Sequence, residues 1–504
     1  MTRALLLLAL LLLASGCHPR VSAPSGIYFV MVDRFANGDP KNDGDANPDD
    51  AQAFHGGDLQ GVIEHLDWVQ ALGFDTIWLS PIFKMRTEKW HGYGAFHGYW
   101  TWDLSSLEPR FGDELLLAKL RRELDRRGMK LILDLVLNHV GPDAPVLTVH
   151  PDWFHERGGV TDWNDATQLV MNDVHGLPDL ATEKPEVFDT LLSAARRWVE
   201  LARPDGFRLD AVKHLPLTFW AQFNGSFEFM RLGELLDGDP GLVSRTWKEG
   251  RFSAMFDFPL GFAIADVFCR GESPAKLAAI LTNDRRYPDP SQLVTLVDNH
   301  DLPRILSTCQ GDLEKTKQAL AFLFAMRGIP SLTWGTEVGL DGAKEPDNRK
   351  SMQFIEHPLR AHIQSLMARR AQSLALSEGA AVPVEVSAER VVIARIAPDG
   401  TTVNVKVEAG QVTVSDAARS NPALVTQWRT GAKTQRVQLT GRGSVVGSGG
   451  ELGDWDRRKA RPLPVTLELP VNGVFEFKRI IDGEWEAGPN RLLFVGDAPV
   501  EIAL

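Results

Sequence analysis

Four acids in this chain each close an apolar run: Asp134 in LILD, Asp210 in GFRLD, Glu234 in RLGE and Asp301 in TLVDNHD. One acid in such a place reads equally well as a helix cap. Four, at the ends of separate strands, meet at one mouth if the strands lie side by side. Carboxylates held together repel, so their pKa values spread apart. One ionises, and a more desolvated one keeps its proton near neutrality. Retaining cleavage of a glycosidic bond needs that division: an anionic nucleophile and a protonated acid roughly 5–5.5 Å apart. Arg208 stands two residues before Asp210 in GFRLDAVKH, so on a strand both side chains face the same side. A guanidinium there keeps Asp210 negative in a site that excludes water.

The elements that carry these acids alternate regularly. Strand-like runs fall near 27–32, 76–79, 130–137, 206–210, 229–234, 253–257, 293–298 and 329–334. Helical apolar spacing marks 59–72, 113–127, 186–202, 312–326 and 358–376. This α/β alternation predicts a (β/α)8 TIM barrel over 24–377, whose active site sits at the C-terminal ends of the strands. The stretch 140–185, rich in Trp, His, Asp and Gly, breaks the rhythm and reads as an excursion after strand three. Beyond residue 378 a short β-rich domain is expected over 378–420, with period-two alternation. A final all-β block is expected over 422–504, with GRGSVVGSGG as a loop inside it.

The N-terminus, MTRALLLLALLLLASGC, has one Arg, an apolar run too short to span a membrane comfortably, and then small residues. Ala14-Ser15-Gly16-Cys17 resembles the cleavage box of bacterial lipoproteins. Residues 1–17 are thus expected to be a signal peptide, with a lipid on Cys17 holding the mature protein at a membrane surface. An ordinary secretory signal is the alternative, and either reading exports the protein to the cell envelope or beyond. Export permits a disulfide between Cys269 and Cys309, but sequence does not say whether they meet. The formal net charge is -12 with no long basic run, which excludes nucleic acid as a partner. Fourteen Trp offer faces that stack on sugars, although most are expected to pack the core.

Taken together, the motifs resemble those of the α-amylase family, glycoside hydrolase family 13. DLVLNHV at 134–140, GFRLDAVKH at 206–214, GELL at 233–236 and LVDNHD at 296–301 are similar to its four motifs, in order. GIYFVMVDRFANGD, GLPDL at 176–180 and GIPSLTWGTEVGL at 328–340 are similar to further stretches, and the resemblance covers about residues 26–375. It implies Asp210 as nucleophile, Glu234 as general acid/base and Asp301 as transition-state stabiliser. By the same resemblance Arg208 positions Asp210, while His97, Tyr99, His139 and His300 contact the sugar being cleaved. Lys213 and His214 fall toward the leaving group, and Arg349 in EPDNRKS is a candidate for distal sugar binding.

The resemblance also implies structural calcium. NGDPKNDGD with the later HGGD is similar to the N-terminal calcium site of cyclodextrin glucanotransferases, with Asn37, Asp39, Asn42, Asp43, Gly56 and Asp58 at ligand positions. A polar loop with Asx-turns is the alternative. A second site would use Asn138, Asp179 and the backbone oxygen of His214, pinning the excursion to the barrel. In the last block ELGDWDRRKA, FEFKRI and EWEAGPNR resemble starch-binding domains of carbohydrate-binding module family 20, which implies a small β-sandwich over 422–504. Trp455 and Trp485 would stack on glucose rings there, with Lys478 and Asn490 bonding hydroxyls.

The expectation is a monomeric α-amylase that hydrolyses internal α-1,4 bonds of starch, glycogen or maltodextrin. Cyclodextrin glucanotransferases carry aromatic residues just after the acid/base and before the DL motif, where this chain has Leu235, Leu236 and, near the second position, His175. That favours hydrolysis. A cyclomaltodextrinase, maltogenic amylase or glucanotransferase-like enzyme is the alternative. A non-catalytic starch-binding lipoprotein is a further one, against which the presence of all three acids argues.

Overall fold

The computed structural model describes residues 23–488, 490–496 and 498–504. The signal segment and Cys17 lie outside them. Eight parallel strands close a barrel: β1 (Ile27–Val30), β2 (Thr76–Leu79), β3 (Lys130–Leu135), β4 (Gly206–Leu209), β5 (Met230–Gly233), β6 (Ala254–Phe256), β7 (Leu293–Thr295) and β8 (Ile329–Thr333). Each pairs with its sequence neighbours, and β8 closes on β1. These strands are buried along nearly their whole length, as the continuous apolar runs require of a sheet covered on both faces.

The helices follow the sequence signals. Glu114–Arg127 starts where the Asp113 carboxylate accepts from Leu116 N at 2.8 Å and stops at Gly128, whose φ of 65° a side-chain-bearing residue rarely adopts. The helical run expected over 59–72 is two short helices, Leu59–Glu64 and Leu66–Ala71, hinged at His65. Pro185–Ala202 turns its apolar stripe, including Leu191, Ala195 and Trp198, onto the barrel.

The excursion leaves and rejoins the barrel at one place. Leu180 N donates to Asn138 O at 2.9 Å, Val140 N to Pro178 O at 3.2 Å, and His139 bridges Asp179. Cys269, at the end of helix Phe258–Phe268, and Cys309 form a disulfide in a buried setting. Downstream, Ala380–Val386, Arg390–Ile396, Thr402–Glu408 and Gln411–Ala417 make a four-stranded antiparallel sheet. The last block is not wholly β: helix Ala423–Thr430 precedes its two sheets. Those sheets enclose their own core, with Val437, Leu439, Leu469, Phe475 and Phe477 at its centre.

Candidate active site

The register of the barrel strands brings the acids together. Asp134 on β3 lies opposite Arg208 on β4, and Arg208 opposite Leu232 on β5. Phe207 and Leu209 pack outward into the helical layer, so Arg208 and Asp210 point to the mouth. Arg208 is fully buried. Its Nη1 lies 2.9 Å from Asp134 Oδ1 and 2.5 Å from Asp210 Oδ1, and its Nη2 lies 3.7 Å from Glu234 Oε2. One guanidinium thus touches three carboxylates from three strands.

The chain is locally tense here. Ala211, directly after Asp210, has φ 50°, a left-handed conformation that an alanine rarely adopts. The turn aims its N–H at Glu234 Oε2, 3.0 Å away. Burial pushes the Glu234 carboxyl up to about 7, with Asp210 and Asp301 adding to the rise and Arg208 and the Ala211 N–H opposing it. Glu234 therefore holds a proton near neutrality. Asp134 is raised to about 7 by burial too, while Arg208, Tyr99 OH at 2.9 Å and Trp78 Nε1 at 3.1 Å bond to its oxygens. Burial alone would raise Asp301, but the neighbouring His300, Arg349 and Arg208 outweigh it and hold its carboxyl below the ordinary range. Of these, the arginines act at neutral pH, because burial pushes His300 down to about 3 and leaves its ring uncharged.

The surrounding residues converge on the same mouth. Tyr99 stacks on His300 with ring centroids 5.0 Å apart, and His97 Nδ1 accepts from Tyr99 N at 3.0 Å. His139 Nε2 bonds Tyr99 O at 3.0 Å. The Nδ1 atoms of His139 and His300 are buried without a protein partner, a pattern that hydroxyls of a bound sugar would complete. Arg349 is closer to the acids than distal binding implies: it donates to Asp301 Oδ1 at 3.0 Å and to His300 O at 2.9 Å, and pairs with Glu345. Lys213 pairs with Asp237 at 3.0 Å, and His214 Nδ1 meets Leu169 O at 2.9 Å in the excursion.

Two residues join the site without having been singled out from sequence. Trp78 holds Asp134, as above. Trp163 lies in the excursion, 48% exposed, with its ring 5.4 Å from His175 and 6.3 Å from His214. An aromatic face thus lies beside His175 and His214, the latter expected from the resemblance to fall toward the leaving group. Leu236, opposite in character, is 42% exposed. A lone Trp in the polar run GGVTDWNDA was the available signal.

Two clusters carry the expected calcium ligands. Asn37 Nδ2 lies 2.8 Å from Asp43 Oδ1, and a Cβ on Gly56 would come within 2.9 Å of both residues, so only glycine fits there. Asn42 Oδ1 is buried with no partner, and Asp58 gathers Asn42 Nδ2 and the N–H groups of Gly38 and Asp39. Carboxylate and amide oxygens are the donors a hard cation takes, and here the Nδ2 groups of Asn37 and Asn42 are turned to the carboxylates instead. In the other cluster Asp179 Oδ2 is bonded to His155 Nδ1 at 2.6 Å, and His155 Nε2 reaches Glu183. Burial pushes Asp179 up to about 7. A calcium ion held by Asn138, Asp179 and the backbone oxygen of His214 would therefore share the Asp179 carboxylate with His155. Among the described residues no group of three or more His, Cys, Asp or Glu is arranged to hold a metal.

In the C-terminal block Trp455 and Trp485 lie side by side, ring centroids 6.5 Å apart at 52°. Lys478 Nζ donates to Gly488 O and Asn490 Nδ2 to Glu476 Oε1.

Comparison with known proteins bears on this geometry. The family description "Alpha amylase, catalytic domain" matches residues 29–371. The chain belongs to the α-amylase family of glycoside hydrolases. It is 34% identical to a cyclomaltodextrinase of Bacillus sp. over 352 residues, covering 65% of this chain and 62% of that protein. It is 31% identical to a maltogenic α-amylase of Bacillus acidopullulyticus over 389 residues, covering 70% and 63%. The chain thus spans less than two thirds of the length of these curated relatives. Among solved structures, an Anoxybacillus α-amylase superposes with a TM-score of 0.72 at 31% identity, over 93% of this chain and 95% of that one.

Proposed function

We propose that this hydrolase cleaves α-1,4-glucosidic bonds of maltodextrins, cyclodextrins and starch, in the manner of a cyclomaltodextrinase or maltogenic amylase. The observation that carries the reading is Arg208 touching Asp210 and Glu234 at once, with Glu234 raised to about 7. Asp210 attacks the anomeric carbon while Glu234 gives its proton to the leaving oxygen. Glu234, now ionised, takes a proton from water, and the resulting hydroxide equivalent releases the sugar from Asp210 with net retention. Asp301, fixed by Arg349, binds hydroxyls of the cleaved sugar. Likeness to the cyclomaltodextrinase and the maltogenic amylase supports small or cyclic glucans over long starch as preferred substrates. Trp163 supports an acceptor-side sugar subsite, and with it some transfer to sugars besides water.

Calcium, when bound at Asn37, Asp39, Asn42, Asp43, Gly56 and Asp58, supplies structural cross-linking and no reacting group. The C-terminal block is read as a starch-binding module on the Trp455 and Trp485 pair, raising effective substrate concentration near the barrel. Export with a lipid on Cys17 is supported by the Cys269–Cys309 disulfide, which persists in oxidising compartments.

The test is chromatography of products from β-cyclodextrin, maltodextrin, pullulan and starch, with wild type beside Glu234→Gln. Faster turnover of β-cyclodextrin than of starch, lost in the variant, is the expected result. Binding of starch without any product from wild type overturns the catalytic reading in favour of a binding lipoprotein. Equal activity of the two proteins removes Glu234 from its role.

A further inference from the structure

The surroundings of the Trp455 and Trp485 pair are more basic than a neutral glucan requires. Residues 456–461 read DRRKAR. Arg457, Arg458 and Lys459 form a tight turn two residues after Trp455, and all three are exposed, as is Arg461 at the start of the next strand. The Arg457 guanidinium carbon lies 5.4 Å from the Trp485 ring centroid and the group is bonded to the carbonyl of Gly483. Arg457 therefore adjoins the aromatic surface, and Lys459 shares its turn. Residues 422–504 hold eleven Lys and Arg against ten Asp and Glu, whereas the whole chain is at -12. This block is thus near neutral within an otherwise acidic protein.

The carboxylates nearby do not cancel these cations. Asp456 is bonded to Arg458 and Asp482 to Arg442, each at 2.9 Å, and Glu484 adds one further charge beside Trp485. Lys459 and Arg461 make no side-chain hydrogen bond or ion pair to another residue among the described ones. Hydroxyls alone gain little from a row of exposed cations, while guanidinium and ammonium groups bind phosphate oxygens strongly. We propose that this module recognises α-glucan bearing phosphate monoesters, the glucose rings lying on Trp455 and Trp485 and the phosphate at the turn that carries Arg457 and Lys459. The proposal rests on the starch-binding reading of the same block. An anionic bilayer would match the charge but leaves an aromatic pair of sugar-ring dimensions beside the turn without a use.

The full-length Glu234→Gln protein would be titrated with phosphorylated amylopectin and with the same polymer after phosphatase treatment. Expected is binding about three- to tenfold tighter to the phosphorylated polymer at low salt, converging at about 0.5 M NaCl as screening shortens to a few ångströms. Adding Arg457→Gln and Lys459→Gln should abolish the preference and leave the dephosphorylated polymer bound as before. Adding Trp485→Ala instead should weaken both. Equal affinity for the two polymers overturns the proposal and leaves starch binding standing. Failure to bind either polymer by a folded protein overturns the starch-binding reading itself. Salt-sensitive binding to phosphatidylglycerol vesicles, without a preference between polymers, assigns these cations to membranes and likewise overturns the proposal.

Discussion

Replacing Arg208 by glutamine isolates what its charge does. Its Nη2 stands 3.7 Å from Glu234 Oε2, and its Nη1 touches Asp210. At an effective dielectric near 20, two unit charges at that separation interact by about 4 kcal/mol, which is about three pH units for the carboxyl. Water entering the shortened side chain's space reduces this to about one to two units. The sign is fixed: a cation favours the ionised carboxylate, so its loss makes each acid harder to ionise. The alkaline limb of kcat/KM, set by deprotonation of Glu234 from about 7, should therefore move up. The maximum should fall as well. Arg208→Lys should restore the position of the alkaline limb while the maximum stays low, because an ammonium cannot meet Asp134, Asp210 and Glu234 at once. The assay is hydrolysis of a nitrophenyl maltooside from pH 4 to about 10, a range spanning both limbs. An alkaline limb that stays in place in Arg208→Gln while the rate drops would refute the electrostatic argument and leave Arg208 a purely steric role.

Chelation should lower the melting temperature by a few degrees, and Asp43→Ala should lower it similarly and abolish the effect of chelator, read by calorimetry with and without added calcium. Reducing Cys269–Cys309, which closes a loop of 40 residues, should cost about 3–4 kcal/mol in chain entropy, measured by denaturant unfolding with and without dithiothreitol and checked against Cys269→Ala/Cys309→Ala. Trp163→Ala should lower the ratio of transfer to hydrolysis products at high maltotriose while sparing the hydrolysis rate of an activated maltoside; an unchanged ratio removes Trp163 from the acceptor side.

The barrel was legible because each strand is covered on both faces, so its sequence is a nearly unbroken apolar run that ends in a polar residue at the mouth. Strand boundaries and the Arg208–Asp210 relation follow from that pattern and the two-residue repeat alone. The excursion was not legible in the same way. Its contacts are made by isolated residues such as Trp163 and His155 whose partners lie on other elements, and no periodicity announces them. His155 is instructive: Asn138 and Asp179 carry the right atoms for calcium, and a histidine about two dozen residues upstream of Asp179 also reaches the carboxylate in space. The break of 59–72 at His65 and the helix 423–430 are similarly local, since neighbours on one helical face set where a short apolar run continues or stops. Cysteine pairing is a distance, and sequence carries no distance between Cys269 and Cys309.

The charge arrangement explains why a single buried arginine serves both halves of the proposed reaction. At rest Arg208 holds the Asp210 carboxylate and faces a protonated Glu234, while Asp134, also raised to about 7 by burial, shares its Nη1, so negative charge lies at the nucleophile. That is where positive charge develops on the anomeric carbon, and the carboxylate is held there without reorganisation. When Asp210 forms its ester it loses its charge, and Glu234, having given up its proton, gains one. Arg208 then faces Asp134 and Glu234, with the count of charges unchanged. Because Nη1 already lies on Asp210 and Nη2 near Glu234, the stabilisation passes from one acid to the other with no movement of the guanidinium. Asp301 stands outside this exchange, held ionised by Arg349 in both states. The fold meets that requirement by setting the arginine on β4, between the strands that carry the other two acids, and by letting Ala211 take a strained turn that turns β4 toward Glu234.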